Sequence, residues 1–197
     1  MTNPRPARIG LFVGSFDPPH RGHRALAETA LQALTLDELR WLPAGQPWQQ
    51  SDRVLAAAEH RAAMVALAIV GEPRFVLDAR ELHRAGPSYT IDSVRELAAE
   101  RPGATLFLVI GQDQYARLHT WHAWRELLGL VTLAVAARDG QPPLPGAALM
   151  EQRHRIEVLP MPRIDVSATA IRDRAATANV PDALVAPAVA GYIARHH

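Results

Sequence analysis

The chain has 197 residues, 48% of them apolar, which predicts one soluble globular domain with a sizeable core. Its 21 basic and 20 acidic side chains leave a net charge of +1, which gives no support for broad electrostatic capture of nucleic acid. There is no cysteine and no lysine, so disulfides, thiol catalysis, zinc–thiolate sites, a Walker-type phosphate lysine and a Schiff-base lysine are all excluded.

The opening "MTNPRPARIG" has no apolar stretch of signal-peptide length, and no run reaches the ~18 residues of a spanning helix. A cytoplasmic location with no membrane partner is the expectation. "RIGLFVG" reads as a strand and "RGHRALAETALQAL" as a helix, with Leu26, Ala30 and Leu34 on one face. "ELRWLPA" is strand-like up to Pro43, and "AAEHRAAMVALAIV" is helical with Met64, Leu67 and Ala68 inward. "RFVLDAREL" resembles a strand, and "YTIDSVRELAAE" a helix with Ile91, Val94, Leu97 and Ala98 at the right spacing. "TLFLVIG", "LVTLAVAAR" and the shorter "RIEVLPMP" are strands; "SATAIRDRAA" is a helix. Residues 139–153, with three prolines and two glycines, begin as a surface loop. The tail "PDALVAPAVAGYIARHH" makes one or two short helices that pack back on the body.

Strands alternating with helices predict a Rossmann-like α/β fold, a mainly parallel sheet with helices on both faces. A single domain spans 1–197, its helical portion from about 166 packing on the sheet. Ligands of such folds bind beyond the carboxyl ends of the strands. The polar motifs fall there: Gly14, Pro43, Gly111 and Arg138 each follow a predicted strand.

The first concentration of chemistry is "GSFDPPHRGH", residues 14–23. Gly14 lets backbone approach a ligand, Asp17-Pro18-Pro19 turns the chain, and Arg21 or Gly22 opens the helix. His20 and His23, three apart, face the same way across a first helical turn, where free N–H groups and the positive dipole end suit a phosphate. Imidazolium would add charge-assisted donors, and phosphate would favour that form. Two other readings stand beside this one. His20 is a helix cap and His23 an ordinary half-buried residue, or Asp17, His20 and His23 begin a metal site for which no further ligand is evident.

The second concentration is "VSATAIRDR". Ser167 and Thr169 sit where a helix begins and Arg172 falls one turn later, so hydroxyls, N–H groups and a guanidinium surround an anion. Taken alone, the same residues read as a common N-cap beside a solvated arginine.

"GSFDPPHRGH" resembles the (H/T)xGH signature of the nucleotidyltransferase superfamily, and "VSATAIR" its ISxTxIR element. "GPSYTIDSV" and "VIGQDQYARLHTWHAWREL" are similar to the PSYTxDT and G(A/S/Q)D…L..W elements of bacterial nicotinate-nucleotide adenylyltransferases. That resemblance runs from about Arg8 to the C-terminus. It implies a nucleotidyltransferase that joins ATP to nicotinate mononucleotide, giving nicotinate adenine dinucleotide and pyrophosphate in NAD biosynthesis. It places Gly14, Ser15, Phe16, His20, His23, Gly111, Asp113, Ser167, Thr169 and Arg172 on ATP, with His20, His23 and Arg172 catalytic. Tyr89, Thr90 and Trp121 fall to the pyridine nucleotide, and Arg138 is a cation that could meet its carboxylate. Mg²⁺ arrives on ATP, held mostly by phosphates and water. One departure stands out: where many members carry PPHK, this chain has "QPWQQ", residues 46–50, with Trp48 near the missing histidine and Arg53 as a possible substitute contact.

The implied chemistry is in-line attack of the acceptor phosphate on the α-phosphorus of ATP, catalysed by positioning and electrostatics without a covalent intermediate. His23 is assigned to the α-phosphate, His20 to neighbouring oxygens and Arg172 to the leaving pyrophosphate. Alternatives are an adenylyltransferase for nicotinamide mononucleotide or phosphopantetheine, or a non-catalytic nucleotide-binding regulatory module. Oligomeric state is not legible in the sequence.

Overall fold

A computed structural model of the chain describes residues 5–47, 55–137, 140–161, 168–175 and 184–196. Its elements are β1 (Arg8–Gly14), α1 (Arg21–Ala33), β2 (Glu38–Pro43), β3 (Gln46–Pro47), α2 (Ala58–Ala68), β4 (Phe75–Leu77), β5 (Pro87–Ser88) and α3 (Thr90–Glu100). They continue with β6 (Thr105–Ile110), α4 (Gln112–Ala116), a 3₁₀ turn (Leu118–Thr120), α5 (Trp124–Leu130) and β7 (Thr132–Ala136). The last are α6 (Ala147–Met150), β8 (Ile156–Leu159), α7 (Ala168–Ala175) and α8 (Pro187–His196).

Six strands form one sheet in the order β4-β2-β1-β6-β7-β8, every pairing parallel. The chain order therefore reverses between β1 and β6, the switch point where open α/β sheets leave a crevice. Strand periodicity divides the core between the two faces. Ile9, Leu11, Leu106, Leu108 and Ile110 pack with Ile91, Val94 and Leu97 of α3 and with Leu127 of α5. Phe12, Phe107 and Val109 pack on the other face with Leu26, Ala27, Ala30 and Leu31 of α1 and with Val65 of α2.

Helices thus cover both faces, as the alternation predicts. No described helix is long and apolar enough to cross a membrane. The described C-terminal residues meet α2 where packing on the sheet is the expectation: Ile171, Val185, Val189 and Ile193 close over Met64 and Ala68. Tyr192 also places its hydroxyl 2.8 Å from His60 Nδ1 on α2.

Two segments differ from their sequence reading. Of "RFVLDAREL" only Phe75–Leu77 is strand. Pairing ends at Asp78, a buried carboxylate held by Arg40 at 3.0 Å and Arg80 at 2.8 Å, and turns follow through Arg84. The other addition is a second, two-stranded parallel sheet, in which Gln46 pairs with Pro87 and Pro47 with Ser88.

Candidate active site

β1 delivers the first motif to the switch point. Beyond Gly14 the backbone turns through Phe16 at φ 47°, a left-handed conformation that costs energy in a non-glycine residue. The Phe16 side chain is 0% exposed, against Phe12, Trp41 and His23 with ring centroids 5.1–5.3 Å away. Phe16 therefore supports the loop from beneath, its side chain closed off from solvent. Gly14 has a packing reason as well, since a Cβ there would lie 3.2 Å from the Phe16 ring.

His20 is the N-cap of α1 and His23 its third residue. His23 N–H donates to His20 Nδ1 (3.3 Å) and His20 N–H donates to His23 Nδ1 (3.1 Å). This is a capping box built from two imidazoles. The rings stack at 3.6 Å, 20° from parallel. A backbone N–H can only donate, so both Nδ1 atoms accept and each neutral ring carries its proton on Nε2. Burial holds the His20 pKa at about 4. It holds His23 well below its ordinary value too, with the neighbouring His20 adding to the effect. Protonating either Nδ1 would also break a cap bond.

With no anion bound the pair is accordingly neutral near pH 7, and it carries two Nε2–H donors. The cap reading is met through Nδ1; the donor reading concerns Nε2, the other nitrogen of each ring. Among the described residues no group of three His, Asp or Glu is arranged to hold a metal ion.

The second motif joins the first directly. Arg172 on α7 donates from Nη1 to Asp17 O (2.7 Å) and from Nη2 to Thr169 Oγ1 (2.9 Å). A guanidinium from the far end of the chain thus lies against the loop that carries His20 and His23. Ser167 lies outside the described residues, as do Arg138, Trp48 and Arg53.

On the β6 side of the switch point, Gly111 caps α4 and exposed Asp113 lies in its first turn. Gly111 has φ −83°, which any residue adopts; a Cβ there would sit 2.8 Å from Gln114 Oε1. Further along the same face are Tyr89, Thr90 and Trp121, all half-buried. Tyr89 lies 4.3 Å, ring to ring, from His122, a neighbour that the sequence reading passed over beside Trp121. Trp41 and Trp124 are buried, so among the described tryptophans only Trp121 keeps a partly open ring.

Two buried charged residues also escaped the sequence reading. Arg61, 3% exposed on α2, donates to Ser15 O (3.2 Å), Ala44 O (2.5 Å), Gly45 O (3.3 Å) and Ala56 O (3.0 Å). Its signal was its place on the inward face with Met64, Val65 and Ala68. Glu81, 1% exposed, accepts from Ser93 Oγ (2.8 Å), and burial raises its pKa against that bond and the charge of Arg84. Arg84 reaches Ser88 and Ser93 as well, bracing the segment that presents Tyr89 and Thr90.

Residues 11–174 match the family model described as Cytidylyltransferase-like. A protein of Methylibium petroleiphilum described as "Probable nicotinate-nucleotide adenylyltransferase" is 58% identical, covering 96% of this chain and 91% of its own. One of the same description from Albidiferax ferrireducens is 47% identical, covering 96% of both. Among solved structures, the Plasmodium falciparum nicotinic acid mononucleotide adenylyltransferase complexed with NaAD superposes with a TM-score of 0.79 at 16% identity, over 96% of each chain. That likeness bears on the fold; the sequence matches bear on the family. The chain belongs to the cytidylyltransferase-like family and, within it, to the nicotinate-nucleotide adenylyltransferases.

Proposed function

We propose that this chain transfers the adenylyl group of ATP to nicotinate mononucleotide, releasing pyrophosphate and forming nicotinate adenine dinucleotide for NAD biosynthesis. The observation that carries the reading is the juxtaposition at the β1–α1 loop: two Nε2–H imidazole donors on a helix start, with Arg172 bound to the same loop. It supports binding of a polyphosphate in a chain that has no lysine.

In the reaction an oxygen of the acceptor's 5′-phosphate forms a bond to the α-phosphorus. The bond from that phosphorus to the α–β bridging oxygen breaks, and pyrophosphate leaves with the electron pair. The nucleophile is already an anion, so no general base is needed. His23 donates to the α-phosphate, His20 to adjacent oxygens, and Arg172 balances charge on the departing pyrophosphate. ATP enters as its Mg²⁺ complex, the ion held mostly by phosphates and water.

Gly111 and Asp113 face the adenosine ribose, Thr169 stands with Arg172 on the phosphates, and the backbone of Gly14 and Ser15 completes the ATP side. Tyr89, Thr90 and Trp121 face the pyridine side. The test is pyrophosphate release from ATP with nicotinate mononucleotide, nicotinamide mononucleotide or phosphopantetheine as acceptor. The reading expects fastest release with the nicotinate compound. Faster release with either other acceptor, or none with any, overturns it.

A further inference from the structure

Arg61 lies too deep to touch a nucleotide, yet its guanidinium joins the two walls of the site. Nη1 is shared between Ser15 O, on the loop of His20 and His23, and Ala44 O, at the end of β2. Nη2 holds Gly45 O, and Nε holds Ala56 O before α2. Gly45 is pressed against the next segment: a Cβ there would fall 2.2 Å from Glu81 O. Glu81 O accepts from Ser88 Oγ, and Ser88 pairs with Pro47 just before Tyr89 and Thr90. Hydrogen bonds at both ends, joined by the packing of Gly45 on Glu81, therefore connect the phosphate loop through Arg61 to the segment assigned to the pyridine nucleotide. A surface ion pair is exchangeable. A buried guanidinium that satisfies four carbonyls is not, because each acceptor it abandons is left unpaired.

We infer that Arg61 is a positioning residue that fixes the distance between the ATP half and the pyridine-nucleotide half of the site. This deepens the function proposed above and rests on it. In-line transfer requires the acceptor phosphate to meet the α-phosphorus in one geometry. A misplacement of the order of an ångström costs about 10²-fold in turnover even when each substrate still binds. Lysine cannot replace Arg61, since an ammonium is a point donor and cannot span four carbonyls on three segments.

The experiment compares wild type, Arg61→Lys and Gly45→Ala. It measures kcat, the Kd of ATP alone and the Kd of nicotinate adenine dinucleotide, at a temperature below each variant's melting transition. Gly45→Ala moves the same junction while leaving the guanidinium in place. The expected result is a kcat lower by about 10²-fold in Arg61→Lys. ATP should bind as in wild type, and the dinucleotide, which spans both halves, should bind more weakly. A folded Arg61→Lys with wild-type kcat overturns the inference, as does a loss confined to ATP binding. If Arg61→Lys does not fold, Gly45→Ala decides by the same two readings. A wild-type protein inactive with nicotinate mononucleotide would instead sink the function itself, so the two failures are distinct.

Discussion

At His20 and His23 one ring edge closes the helix, and the proposed function gives the other to the ligand. The cap bonds take Nδ1, and burial keeps both rings neutral. Both pKa values lie lower in the folded chain than in the unfolded one, so acid unfolds: the unfolded chain binds the extra protons. Stability contributed by His20 should be full above its ordinary value of 6.5 and be lost as pH falls toward about 4. A series of thermal melts across that window checks it, and His20→Asn, which can still cap but does not titrate, should flatten the slope. Turnover should likewise not decline as pH rises through neutrality, because no imidazolium is being lost. A kcat that falls with a midpoint near 6.5 would identify charged imidazoles instead. Trp121 carries a different kind of prediction. Stacked aromatic contact contributes about 0.5–1.5 kcal/mol beyond its buried area, so Trp121→Ala should raise the KM for the pyridine nucleotide while sparing that for ATP.

At the scale of elements, the parallel strands set where the loops begin, and central packing sets how firmly. Leu108 is fully buried in β6 between two neighbouring strands, and Leu108→Ala should cost about 2–5 kcal/mol in chemical denaturation. A loss below 1 kcal/mol would contradict the packing described here. β1 and α1 were legible because apolar alternation stops at Gly14 and a helical period starts at Arg21, with a capping residue between them. β3 and β5 were not, because two residues carry no periodicity and their pairing is a tertiary event. β4 was read too long because "LDAREL" looks apolar enough to pair, whereas Asp78 turns aside into ion pairs with Arg40 and Arg80. Arg61 and Glu81 were missed for one physical reason: a charged residue reads as surface until the acceptors or donors that bury it are brought together by the fold.

Over the whole molecule, chain reversal between β1 and β6 gathers segments far apart in sequence. The link from Arg172 to Asp17 O spans 155 residues and joins the two sequence motifs. That meeting could not be read from either motif alone; it was implied only once both were matched to one family. The same topology puts the half-buried Trp121 and Tyr89 on the β6 side and the imidazole pair on the β1 side. The most direct test of this account is pyrophosphate release by wild type and by folded His23→Ala, side by side, at saturating ATP and nicotinate mononucleotide. The account predicts a fall of roughly 10²–10³ in kcat with ATP still bound; turnover within a few-fold of wild type would contradict it.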